Sequence, residues 1–185
     1  MIHDLIREAT HTSHRRLDLA LSWLDLGKPR YYASFLRGQG EALFPIEAAL
    51  EHNGIAQILP DWDFRARSAA LEHDLIVMDA SCDPLPEPHF DNAAQMLGVV
   101  YVLEATRMGA RVMLSRLAQH PDSCSIGATK YLRHGFGQRL WPTFLNVLET
   151  HPAALGDPKA VVQGAQIAFG MFESALVPIV STAAE

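Results

Sequence analysis

Between Leu97 and Met113 the chain reads LGVVYVLEATRMGARVM, its most apolar stretch, whose length and flanks fit a helix rather than a strand. Glycine in a helix interior costs about 0.5–1 kcal/mol relative to alanine, so Gly98 and Gly109 need a reason to be there. At about 100° per residue, Ala94, Gly98, Ala105 and Gly109 fall on nearly one line. A line of small residues on a buried helix lets something approach the backbone closely, either a neighbouring helix or a flat or bulky ligand. The stretch alone leaves both open.

The surrounding 185 residues, 49% hydrophobic and only 19% charged, can bury one substantial core, so a single domain over 1–185 is expected. The net charge is −6 and the 15 basic residues are scattered singly and in pairs. With no basic stripe, nucleic-acid binding is not expected. The start, Met1-Ile2-His3-Asp4-Leu5-Ile6-Arg7-Glu8, is polar and periodic, unlike a signal peptide. Glu104 and Arg107 interrupt the strongest apolar run below the length of a membrane span. Cys82 and Cys124 sit in loop-like settings without metal-ligand spacing and read as reduced thiols. A cytoplasmic protein without membrane association is the expectation.

Helical periodicity dominates and sustained alternation is missing, which predicts an all-α protein of about six or seven helices. The first runs from about Ile2 to Leu24, with Ile2, Leu5, Ile6, Ala9, Ser13, Leu17, Ala20 and Leu24 as its stripe. A second begins at Pro29, suited to a first helical turn, and continues to about Leu50 with a kink or break at Pro45. A third spans about Arg65 to Val77, and a proline-rich connector covers Cys82 to His89. The apolar helix extends from about Asp91 to Gln119. Segments around Tyr131 and around Trp141 to Leu148 follow, with Gly135-x-Gly137 read as a helix break, and a last helix spans about Lys159 to Thr182.

Nine histidines require weighing. On the first helix His14 falls just past the edge of the apolar arc and shares that edge with Arg7, Thr10 and Asp18. Asp18, four residues on, can accept from one ring nitrogen and leave the other for a metal. Arg7 lies two turns earlier, about 10 Å along the axis. An imidazole ligand, an orienting carboxylate and a cation at that distance would suit a haem edge; a surface histidine would look the same. Paired-metal bundles need Glu-x-x-His on two helices, and Glu8-Ala9-Thr10-His11 is the only such motif. His73, His120, His134 and His151 lie beside turns or charges and read as solvent-exposed.

Taken together, these segments resemble heme oxygenase, specifically the short bacterial type that supplies biliverdin to bacteriophytochromes. Leu5-Ile6-Arg7-Glu8-Ala9-Thr10-His11-Thr12-Ser13-His14-Arg15-Arg16-Leu17-Asp18 is similar to the family's proximal helix, with His14 at the axial-ligand position. Tyr31-Tyr32-x-x-Phe35-Leu36, Pro45-Ile46-Glu47-x-x-Leu50 and Arg67-x-x-x-Leu71-x-x-Asp74-Leu75 resemble the next two helices. Gly98-x-x-Tyr101-Val102-Leu103-Glu104-Ala105-Thr106-Arg107-Met108-Gly109-Ala110 resembles the distal helix, where the family usually reads Tyr-Val-Leu-Glu-Gly-Ser-x-Leu-Gly-Gly. Phe136-Gly137 before Trp141-x-x-Phe144, and Ala168-Phe169 on the last helix, extend the similarity over nearly the whole chain.

The resemblance implies haem, as substrate and cofactor, held between the first and distal helices. His14 would bind the iron, while Arg7, Thr10 and Tyr131 would contact the propionates or line that edge. Ala105, Thr106, Gly109 and Ala110 would form the distal wall. It further implies O₂-dependent cleavage to biliverdin, CO and Fe²⁺, a reductase or ferredoxin-type electron donor, and a bacteriophytochrome as recipient of biliverdin. Ala105 and Ala110 stand where the family has glycines. Those two methyls define a second reading, a haem- or bilin-binding sensor or partner protein of the same fold without turnover.

Overall fold

The computed structural model describes residues 1–120 and 124–183, with side chains excepted at 124 and 180–183. The expectation for the Cys124 thiol therefore lies outside the described residues, while Cys82 is a free, half-buried thiol. Among the described residues every regular element is helical. The α-helices are α1 (Ile2–Ser22), α2 (Pro29–His52), α3 (Trp62–Arg65), α4 (Ser68–Val77), α5 (Ala93–Leu117), α6 (Lys130–Arg133), α7 (Leu140–Thr150), α8 (Pro152–Gly156) and α9 (Pro158–Ala183). Short 3₁₀ turns cover Ile55–Gln57 and Cys124–Gly127.

The long helices lie close to their expected bounds. The extra ones, α3, α6 and α8, have four or five residues each, too few to express a 3.6-residue period. Pro45 sits inside α2 without ending it. The Gly135-x-Gly137 break is real: both glycines have left-handed φ, 77° and 80°, after α6. His134 departs from its expectation, since it is half-buried and its Nδ1 lies 2.8 Å from Arg107 Nη1. His73 and His151 are half-buried too, beside Asp74 and capping α8 through Ala153 N, whereas His120 is exposed.

Three long helices, α1, α5 and α9, run side by side in one direction. Along α1, Leu5 and Ala9 lie beside Pro158 and Val162, His14 meets Phe169, and Arg16 pairs with Glu173. Along α5, Tyr101 reaches His3 and Arg116 reaches Leu21. Their N-terminal portions are tightly joined. A Cβ on Gly98 would stand 1.8 Å from the Val161 carbonyl oxygen, and one on Gly164 would stand 1.9 Å from that of Gln95. Only glycine lets the two backbones approach so closely. The start of α1 is held by α7, whose Glu149 carboxylate accepts from Ile2 N at 3.0 Å and His3 N at 2.8 Å. This satisfies two of the helix's orphan donors and places an anion at the positive end of its dipole.

Further along, the three helices part. Every α5 residue from Ala94 to Glu104 is buried, but between Ala105 and Arg116 only Ala110 is. On α1, Ile2, Ile6 and Thr10 are buried, whereas Ser13, Leu17, Ala20 and Leu21 are only half-buried. The Pro158–Ile179 part of α9 is long and apolar enough to cross a membrane by length and composition, and half of its most apolar window is buried inside the protein.

Candidate functional site

Where α1, α5 and α9 separate, a cavity opens with about 770 Å³ of empty space, part of it continuous with solvent. Its walls are mostly apolar: Leu17 and Leu21 from α1, Phe35 from α2, Val102 and Met113 from α5, and Phe169, Phe172 and Leu176 from α9. Apolar walls with a few directed polar groups are the usual make-up of a small-molecule site.

His14 stands on the α1 wall. Its Nδ1 lies 2.9 Å from Asp18 Oδ2, and its ring meets Phe169 edge-on at 6.2 Å between centroids. An ionised carboxylate can only accept, so Nδ1 carries the proton and, in the neutral ring, Nε2 keeps its lone pair. The i,i+4 pair thus prepares a single nitrogen ligand. Across the cavity, α5 presents Ala105, Thr106, Gly109 and Ala110. A Cβ added at Gly109 would meet nothing within 4 Å. Gly98 and Gly109 share a spacing and have opposite surroundings: one touches backbone, the other faces space.

A polar floor closes the cavity opposite its mouth. Asp74, fully buried, accepts from Lys130 N at 3.1 Å and Tyr131 N at 2.8 Å and so fixes the start of α6. The Tyr131 hydroxyl then donates to Gln39 Oε1 at 2.6 Å. Burial pushes the Tyr131 phenol upward, so it remains a donor at neutral pH. With Oε1 occupied, the Gln39 amide NH₂ is left for the cavity it lines. Beside it, Arg67 is 2% exposed and lies 5.1 Å over the Tyr131 ring. Its Nη2 donates to the Leu103 carbonyl at 3.0 Å and to Thr106 Oγ1 at 2.9 Å, while its Nε has no partner. Glu47 of α2 binds the backbone N–H groups of Arg67 and Ser68 and the Ser68 hydroxyl at 2.6–3.0 Å, which anchors α4 and so aims Arg67.

Behind that floor lies an ionic cluster. Glu104, 1% exposed, pairs with Arg65 at 3.3 Å and with Arg107 at 3.0 Å. Arg107 also donates to the Arg65 carbonyl and to His134 Nδ1. Burial, followed by Arg107 and Arg67, pushes His134 down to about 4. Its ring is therefore neutral at physiological pH, with Nδ1 free to accept.

The structure thus brings His14, Ala105, Thr106, Gly109, Ala110 and Tyr131 to one cavity. Two expected members stand apart. Arg7 is exposed and its guanidinium donates to Asp4 Oδ1 at 3.2 Å. Thr10 is buried and its hydroxyl bonds back to the Ile6 carbonyl at 2.8 Å. Tyr131 lines the cavity, yet its hydroxyl is committed to Gln39. Gln39, with no signal of its own in the sequence, and Arg67, a member of a recognised segment, complete the floor. Among the described residues no three His, Cys, Asp or Glu side chains gather as a metal cluster.

No family model matches the chain. It is 26% identical over 145 residues to a heme oxygenase of Xanthomonas campestris pv. campestris (strain 8004), a match covering 78% of this chain and 88% of that protein. The fold superposes on a crystal structure of the NO- and CO-bound heme oxygenase of Neisseria meningitidis with a TM-score of 0.69. That superposition covers 98% of this chain and 92% of the other at 18% sequence identity. A histidine with its carboxylate partner thus shares one cavity with the open backbone at Gly109, on a chain similar in sequence to one heme oxygenase and in fold to another.

Proposed function

We propose that the protein is a heme oxygenase that cleaves haem, with O₂ and external electrons, to biliverdin, CO and Fe²⁺. The observation that carries this reading is the pairing across one cavity of His14, with Nδ1 held by Asp18, and the bare backbone at Gly109. His14 Nε2 is the proposed iron ligand, and Asp18 fixes its tautomer and ring orientation. The flat apolar walls from α1, α5 and α9 suit a porphyrin face, and the floor offers donors in Gln39 and Arg67. Haem supplies the oxidative chemistry when bound.

The chain's own residues do the rest. Leu17, Leu21, Phe169 and Met113 exclude water from the faces, while Gln39 and Arg67 stand ready to hold ordered water or an acceptor beneath α5. Ala105, Thr106, Gly109 and Ala110 of α5 would limit the space left for a ligand held by His14. Biliverdin as the released product, a ferredoxin-type donor and a bacteriophytochrome recipient belong to the same proposal.

Hemin titration tests it. A sharp Soret band should form and should weaken or shift in His14→Ala; no band at all would remove the haem reading. Ascorbate or a ferredoxin reducing system, with an iron chelator present, should then bleach that band as red biliverdin absorbance grows. Because Ala105 and Ala110 put methyls on the cavity wall, a haem- or bilin-binding protein without turnover is the second reading. A band that persists through reduction in air supports it.

A further inference from the structure

Hydrogen bonds tie α1 to α5 at two places, and the cavity lies between them. At one end the Tyr101 hydroxyl meets His3 Nδ1 at 3.1 Å. At the other, Arg116 in the last turn of α5 turns away from its own helix. Its guanidinium donates to the Leu21 carbonyl at 3.0 Å, to that of Ser22 at 3.5 Å and to that of Leu24. The Arg116 stem passes Met113, whose sulfur lies 3.8 Å from Nη1, and both Met113 and Leu21 line the cavity.

The end of α1 needs such a partner. Its last turn carries no basic side chain, so the last carbonyls and the negative end of its dipole have no cation of their own. The rigid guanidinium fork can reach three carbonyls at once, which an ammonium group cannot do equally well. Between these two ties α1 and α5 scarcely touch, because α9 carries most of the packing of each. His14 lies on this loosely supported part of α1, 58% exposed.

We infer that Arg116 is a positioning residue: by clamping the C-terminal carbonyls of α1 across the cavity mouth, it sets the gap between His14 and the α5 wall. The haem part of this inference rests on the proposed function; the clamp itself does not. Arg116 touches no ligand in this role and acts through the placement of α1.

The test uses Arg116→Met, which keeps an unbranched stem, and Arg116→Lys, in the full chain with and without His14→Ala. Amide hydrogen exchange without ligand should speed up at the end of α1, around 20–26, in Arg116→Met and less so in Arg116→Lys. Unchanged exchange there overturns the clamp, whatever happens with haem. Hemin affinity should fall about tenfold in Arg116→Met when His14 is present, and less than about twofold in the His14→Ala background. Equal losses in both backgrounds would mean that Arg116 only supports the fold, and would overturn the positioning role. If the parent protein fails to bind hemin while exchange responds as expected, the clamp stands and the haem reading falls.

Discussion

The two halves of α5 share one helix and one kind of sequence, yet they do opposite work. From Ala94 to Glu104 the helix is buried on all sides, with the Gly98 backbone against Val161 of α9. From Ala105 to Arg116 it lines a cavity, and Gly109 faces open space. The same residue type serves packing in one half and vacancy in the other. The boundary falls at Glu104, the last residue of the unbroken buried run, held there by Arg65 and Arg107.

Glu104 should therefore be the costliest residue to lose. Replacing it with Ala leaves Arg107 and part of Arg65 buried without their carboxylate, and breaking a buried ion pair costs about 3–5 kcal/mol. Urea denaturation measures it, and a loss below about 1 kcal/mol, the range of exposed pairs, would show that the cluster is wetter than its burial indicates. Gly98→Ala comes next. Its Cβ would collide with backbone rather than a movable side chain, so α5 and α9 must separate, and overpacking of this kind costs about 1–3 kcal/mol or more.

In the open half the expected effects move from stability to binding. Gly109→Leu should leave the unfolding midpoint at or above that of the parent, because leucine favours a helix interior over glycine, and abolish or sharply weaken the hemin Soret band. If that variant binds hemin as well as the parent, the α5 wall is not where the ligand sits. A smaller effect reports on the ionic cluster at the boundary between the halves. His134, held near 4 in the folded protein against 6.5 when free, takes up its proton more readily in the unfolded state. Stability should thus fall as pH drops from about 6.5 towards 4. His134→Gln should flatten that part of the pH–stability curve, and an unchanged slope would clear His134 of the effect.

Much of this contrast was legible in the sequence, but not all of it. The His14–Asp18 pair is a four-residue relation on one helix, and helical spacing alone brings such residues together. The small-residue line on α5 was equally plain. Spacing alone did not divide it, although the resemblance put only the Ala105–Ala110 part in the distal wall, because whether Gly98 or Gly109 meets a neighbour depends on Gly164 and Val161, more than fifty residues away. Arg7 shares the edge of His14, yet Asp4, one turn before it, takes its guanidinium. Tyr131 is drawn into the floor by Asp74 on another helix, and Gln39 gains its role only through Tyr131. Local spacing reveals faces; which faces meet is a tertiary fact.

The finest test of the contrast is the same substitution made twice. Alanine in a helix interior is favoured over glycine by about 0.8–1.0 kcal/mol. At Gly98 the collision with the Val161 carbonyl overwhelms that gain. At Gly109 nothing opposes it, so Gly109→Ala should stabilise the ligand-free protein by up to about 1 kcal/mol, read from the denaturation midpoint at constant slope. The added methyl would then stand in the space proposed for the porphyrin, beside the methyls of Ala105 and Ala110. Stability without ligand should rise while hemin affinity falls, an opposition that a purely packing glycine cannot produce. If Gly109→Ala instead destabilises the ligand-free protein as Gly98→Ala does, the open half of α5 is closed in solution and the two halves are alike after all.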